Sequence, residues 1–160
     1  MPQMVLGIKG LEKLEKYFAH APQVVNREID RAMQRSVQKL TTDVKVETPA
    51  DKGRLRSAIH GRVEGRGIET IGRVGLKGGE GRLGIYAKVM EAGARPHFPP
   101  LEALEVWARR HGMTAWQVAI SIARKGIKGR YMFKNAMEKN RAWVEQEFSA
   151  VWQRVLDALG

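Results

Sequence analysis

ETPADKGRLRSAI, Glu47 to Ile59, joins the two textures of this chain, and its reading decides the fold. Upstream, Val25, Ile29, Met33, Val37, Leu40 and Val44 recur every three or four residues, the spacing of a buried helical stripe. Arg27, Glu28, Asp30, Arg31, Arg35 and Lys39 lie between them as a charged outer face. Pro49 ends that helix, because a proline disfavours helical geometry in the residue before it. Downstream, glycines crowd in from Gly61 to Gly84, with short apolar runs between them. The stretch itself holds acids, a glycine, basic side chains and a serine, so it is a site for chemistry, a nucleic-acid contact or a joint. As a joint it is self-consistent: Asp51 accepts N–H bonds in the turn, Gly53 takes a positive φ, and Leu55 enters the core. Arg54 and Arg56 flank Leu55 and are expected to point outward, towards acids on a neighbour.

The glycine-rich region, 57–91, reads as three strands, SAIHGRVEG, IETIGRVGL and LGIYAKVME, with KGGEGR as the tip of the second hairpin. Residues 51–82 hold eight Lys or Arg against four Asp or Glu, so this region is basic. Before the main helix, a shorter pattern opens at Gly10 with Leu11, Leu14 and Phe18, so the N-terminal helices span 10–48. Beyond HFPP, residues 99–125 form two short helices. Leu101, Leu104 and Trp107 mark the first, closed by His111-Gly112; Thr114 caps the second, AWQVAISIARK, and Gly126 ends it. The last helix, 131–159, carries a stripe of Phe133, Met137, Asn140, Val144, Phe148, Val151, Val155 and Leu159. Either a coiled coil or one helix lying on a sheet gives such a stripe; with no partner stripe of like regularity, the sheet-packed helix is the expectation. The sum is one α+β domain over 1–160: an antiparallel sheet of three to four strands, a long helix at each end and a short two-helix insertion.

At 160 residues the chain suits one core, and 43% hydrophobic content excludes a disordered tail. Lys and Arg number 28 against 17 acids, a net charge of +11, which points to a polyanionic partner or to a solvated basic surface. The absence of cysteine excludes disulfides, thiolate metal sites and cysteine nucleophiles. No stretch approaches the roughly 18 apolar residues of a membrane span, and the amino terminus lacks a signal peptide's apolar core.

Catalytic constellations are hard to assemble. His20, His60, His97 and His111 have no His or carboxylate at metal-pair spacing, and Ser57 stands in no nucleophile elbow. GLKGGEGRLG lacks the order of a phosphate loop, and GRGIETIG opens no helix. Glu47, Asp51, Glu91 and Glu102 show no pairing, so neither enzyme, cofactor nor metal is expected. Nucleic-acid binding has more behind it. Residues 124–141 hold Arg124, Lys125, Lys128, Arg130, Lys134, Lys139 and Arg141 against Glu138, with Tyr131 and Phe133 interleaved as a stacking surface requires. The four residues Arg124, Lys125, Lys128 and Arg130 are the candidate contacts to DNA or to an acidic partner. The preceding AWQVAISIARK is too apolar to read base edges, so any such contact is nonspecific.

Thr-Pro, Asp-Lys-Gly and Leu-Arg-Ser-Ala-Ile in this order resemble the phage tail-component family typified by gp10 of phage HK97. Pro49, Asp51, Gly53, Leu55 and Arg56 fall in step with that family's pattern, with Ala58 where a serine is frequent. IYAKVMEAGARPH is similar in Tyr86, Ala87, Glu91 and Gly93, with Ala94 where threonine is common. PPLEALEVWARRHGM resembles an insertion seen in many members, and GIKGRYMFKNAMEKN the closing pattern in Gly126, Phe133 and Ala136. The resemblance covers nearly the whole chain in order. It implies a virion structural protein at the neck or tail, made in the bacterial host cytoplasm. Such proteins act in tail completion or head-tail joining as a homo-oligomeric, hexameric ring that meets connector and tail tube proteins. On that reading Arg54, Arg56, Lys77, Glu80 and Arg82 are candidate subunit contacts, Pro49, Asp51 and Gly53 are the structural turn, and the glycine tip orders on docking.

Overall fold

The computed structural model describes residues 4–6, 22–49, 53–78 and 81–159. The elements run β1 (Met4–Leu6), α1 (Pro22–Glu47), α2 (Arg54–Ala58), β2 (Ile59–Glu64), β3 (Ile71–Leu76), α3 (Arg82–Ala92), β4 (Gly93–Ala94), α4 (Leu101–Arg110), α5 (Ala115–Lys125), β5 (Ile127–Lys128) and α6 (Met132–Leu159). A 3-10 turn, Gly67–Glu69, joins β2 to β3. The fold is α+β. One antiparallel sheet has the order β1-β3-β2, and β4 and β5 form a separate antiparallel pair. The helical pattern expected from Gly10, with Leu11, Leu14 and Phe18, lies outside the described residues.

Helix α1 is the centre of the body. Pro22 opens it, at a position where its missing N–H leaves nothing unpaired. Its stripe of Val25, Ile29, Met33, Val37, Leu40 and Val44 is buried as its spacing requires. On one side α1 lies across β2 and β3. Two glycines allow the approach: a Cβ on Gly72 would overlap the side chains of Met33 and Val37, and one on Gly61 those of Val37 and Thr41. Asp30 tethers the helix to the β2–β3 connection, accepting 2.7 Å bonds from the Gly67 N–H and the Thr70 hydroxyl through Oδ1.

On its other side α1 meets α6, which runs antiparallel to it. Glu147 accepts from Arg35 at 3.0 Å, Asp43 from the Asn140 amide at 2.6 Å, and Glu47 pairs with Lys139. The stripe of α6 therefore has a partner stripe after all. Its N-terminal half, through Met132, Phe133, Ala136 and Val144, shares a core with Ile59 and Val74 of the sheet. The C-terminal half packs Val151 and Val155 onto Val25, Ile29 and Ala32 of α1. Each such aliphatic side chain taken from water contributes about 1.5–3 kcal/mol.

The third expected strand, LGIYAKVME, is a correction: it is helix α3. Leu83, Ala87 and Met90, spaced as helical neighbours, turn towards the core, while Ile85 and Tyr86 are exposed. Positive φ at Gly81 and Gly93 brackets the helix. The sheet's third strand is instead β1, paired with β3 in the register Met4–Val74, Val5–Arg73 and Leu6–Gly72. KGGEGR consequently links a strand to a helix and is no hairpin tip; its residues 79–80, with Glu80, lie outside the described residues. The strands also begin later than their sequences suggest, at Ile59 and Ile71, because a helical turn and a 3-10 turn precede them.

Candidate interaction surface

ETPADKGRLRSAI is a joint. Thr48, buried, donates its hydroxyl to the Val44 carbonyl at 2.6 Å, and Arg56 donates to the Thr48 carbonyl at 2.7 Å. The end of α1 is thereby closed by side chains, as helix carbonyls without intrahelical partners require. Gly53 adopts φ 68°, and its carbonyl accepts from the Ser57 N–H at 2.8 Å. Leu55 is buried, although within a helical turn and not a strand. Arg56, expected to reach a neighbour, is spent on Thr48; Arg54 is exposed, as are Lys77 and Arg82. Asp51 lies outside the described residues.

A second structural knot brings together stretches far apart in sequence. The Glu91 carboxylate accepts from the N–H groups of Phe133 and Lys134 at 3.0 and 3.2 Å, capping the first turn of α6. A carboxylate there satisfies unpaired donors and meets the positive end of the helix dipole. The Arg130 and Tyr131 N–H groups donate to the carbonyls of Met90 and Glu91 at 2.7 and 3.0 Å. Beside them β4 pairs with β5, Gly93 opposite Lys128 and Ala94 opposite Ile127. The strands approach so closely that a Cβ on Gly93 would overlap the Ile127 carbonyl, and one on Gly126 the Ala94 carbonyl. Glu91 and Gly93, known from sequence only as motif positions, thus meet Gly126 and Phe133 in one stem. No local spacing announces that meeting.

The stem carries an arm, α4 and α5, which pack on each other. Thr114 and Gln117 form a capping box at the start of α5, with bonds of 3.2 and 2.9 Å, and Gly126 ends it at φ 69°. Glu102 in the first turn of α4 and Arg109 and Arg110 in its last complement the helix dipole. The arm's interior is thin: within its helices only Ala108 and Ala119 are buried. Phe98, Val106, Trp107, Met113 and Trp116 are all exposed, Trp116 by 55%. Trp107 stacks on His111 with ring centres 4.0 Å apart, and Phe98 meets Trp116 edge-on at 5.6 Å. Sequence reading places Trp107 on an apolar edge and leaves Trp116 unassigned. Their signal was the excess of large apolar residues over what two short helices can bury.

The arm and stem also expose Arg95, Arg109, Arg124, Lys125, Lys128 and Arg130 against the acids Glu102 and Glu105. The four expected contacts, Arg124, Lys125, Lys128 and Arg130, are thus grouped where the arm meets its stem. The interleaved aromatics behave differently from each other: Tyr131 is exposed with Lys134 5.7 Å over its ring, while Phe133 is core. Tryptophan and arginine are the residue types enriched at protein-binding hot spots. Among the described residues no helix is long and apolar enough to cross a membrane, and no cluster of His, Asp and Glu is suited to a metal. Comparisons with family models, with curated proteins and with solved structures return no match.

Proposed function

We propose that this chain is a structural protein of a tailed phage, prophage or phage-like particle, acting in tail completion or head-tail joining as a hexameric ring at the neck or tail terminus. Its role is assembly, not catalysis. The observation that carries the reading is the arm: on a glycine stem it holds Trp107, Trp116 and Phe98 at the surface, and arm and stem together expose more basic than acidic side chains. Supporting it, the four stretches that resemble the tail-component family are those that build the joint, the stem, the arm and the start of α6. The arm meets connector or tail tube proteins, and its charge calls for acids on them.

Negative-stain imaging of lysates from the source strain tests this. Deleting the gene leaves filled heads apart from tails, or tails of abnormal length. Complementation with Trp116→Ala does not restore joining, although the variant folds. Normal joined particles after deletion overturn the reading.

Arg124, Lys125, Lys128 and Arg130, exposed and in no ion pair with a described residue, favour a second reading: nonspecific nucleic-acid binding through 124–141. Steep loss of duplex binding with salt is its signature. If neutralising these four side chains abolishes duplex binding but leaves particles joined, that reading gains and the structural one loses.

A further inference from the structure

In the order β1-β3-β2, β2 is an edge strand. Alternate residues of an antiparallel pair exchange hydrogen bonds, and the Lys77 N–H donates to the Ala58 carbonyl at 2.8 Å. His60, Arg62 and Glu64 therefore bond to β3, while the main-chain groups of Gly61 and Val63 point to the edge with which no strand of the described residues pairs. Ile59 would share that edge, but its N–H is already given to the Arg56 carbonyl. Beside this edge runs a groove of about 480 Å³, lined by residues of α1, Val37 and Thr41 with Lys45 among them, and by Gly61, Arg62 and Val63 of β2. Helix α1 overhangs the place where a further strand would lie.

We propose that this edge and groove accept β1 of a second copy, so that neighbouring sheets join into one; the inference rests on the ring reading and names its contact. Three observations select the occupant. β1 and β2 are each antiparallel to β3, so they run in the same direction. Joining β2 of one copy to β1 of the next preserves strand direction and repeats the same heterologous contact, the kind that closes a ring. Charge then weighs against a contact built on like-charged surfaces. Two copies at +11 repel, and five acids are paired within the chain: Glu28 with Arg31, Asp43 with Lys39, Glu47 with Lys139, Glu64 with Arg73 and Glu147 with Arg154. β1, sequence MVL, is uncharged and apolar, so it brings no further positive charge to a groove that already carries Lys45 and Arg62. Lastly, the groove offers Val37 and Val63 to apolar side chains, with glutamine and threonine between them and Lys45 and Arg62 at its lining, and no acid.

The absence of native cysteine permits a clean test. Val5 stands opposite Arg73 on β3, which stands opposite Arg62 on β2, so Val5 and Arg62 are two strand spacings apart within one chain. That distance, near 10 Å, forbids an intramolecular disulfide. Full-length Val5→Cys and Arg62→Cys chains are mixed, allowed to oligomerise and mildly oxidised; Arg62 is exposed, so its replacement leaves the core intact. The proposal expects mixed disulfide dimers to dominate, and the Gly61 and Val63 amides, read by hydrogen exchange in the unmodified protein, to become protected on oligomerisation. Arg62→Cys homodimers would indicate a two-fold contact and overturn it. Oligomers with neither cross-link nor new protection overturn the edge contact and leave the ring standing. Failure to oligomerise at any concentration overturns the edge contact, whereas the ring is judged separately by particle imaging.

Discussion

The body of the molecule and its arm are built by opposite economies. In the body, α1 is pressed between a sheet and an antiparallel helix, and Ile29, Met33, Leu40 and Val44 are shut off from water. In the arm, two capped helices lean on each other through little more than Ala108 and Ala119, and the large aromatic side chains face outward. The body is stabilised by tertiary burial; the arm relies on local signals, namely a capping box, dipole-matched charges and a glycine stem. A region that folds on local signals can leave its large apolar groups at the surface, as the assembly contact proposed above would require.

The contrast is broken most forcefully from within the body. Ile29→Ala removes a fully buried side chain between α1 and the Val151–Val155 end of α6. A loss of about 2–5 kcal/mol is expected in chemical denaturation. Next in size is the stem. Gly93 has φ 81° and ψ −174°, a conformation that costs other residues about 1–3 kcal/mol. Its added methyl would also strike main chain. Gly93→Ala is expected to open residues 95–130 to proteolysis and hydrogen exchange while the α1–α6 body stays protected; if the body opens equally, the two regions are not distinct. Smaller again, Trp116→Ala should change stability by no more than about 0.5 kcal/mol, as surface positions do, while under the assembly proposal it still prevents joining.

Helices with long stripes were legible because a period of 3.6 sustained over many residues has one explanation. So were the punctuation marks: Gly53, His111-Gly112, Thr114 and Gly126 act where their chemistry put them. LGIYAKVME was not legible, since a short apolar run fits strand and helix alike until its neighbours are known. Burial of Leu83, Ala87 and Met90 decides it, and that depends on where α1 and α6 lie. β1 is three residues whose strand character comes wholly from pairing with β3. The stem was hidden for a similar reason: Glu91 and Phe133 are joined by a carboxylate-to-amide bond across a loop of inserted helices, and no spacing rule spans that distance. Arg56 misled through its exposure, which left open whether its guanidinium served a neighbour or its own chain.

The smallest effect sharpens the comparison at the body's own rim. Lys139 donates to Glu47 across the α1–α6 seam, and that hydrogen bond, with the Glu47 charge and a lesser contribution from Asp43, holds its ammonium pKa above the usual 10.5 against a small opposing desolvation. A pKa raised by folding means that the charged lysine favours the native state. This contribution is fully present below the unfolded value near 10.5 and is lost as pH rises through the folded value. Denaturation midpoints of the native chain and of Lys139→Met, followed from neutral to strongly alkaline pH, should therefore converge only above about pH 10.5. The gap at neutral pH should be small, because the lysine side chain is 66% exposed and salt screens such pairs. A gap that persisted unchanged to strongly alkaline pH would assign the effect of the substitution to the aliphatic stem and deny the ammonium its part. With the gap behaving as expected, α1 and α6 are joined by burial along both ends of the seam with a charged pair at its rim, whereas the arm's helices share only Ala108 and Ala119 as buried residues.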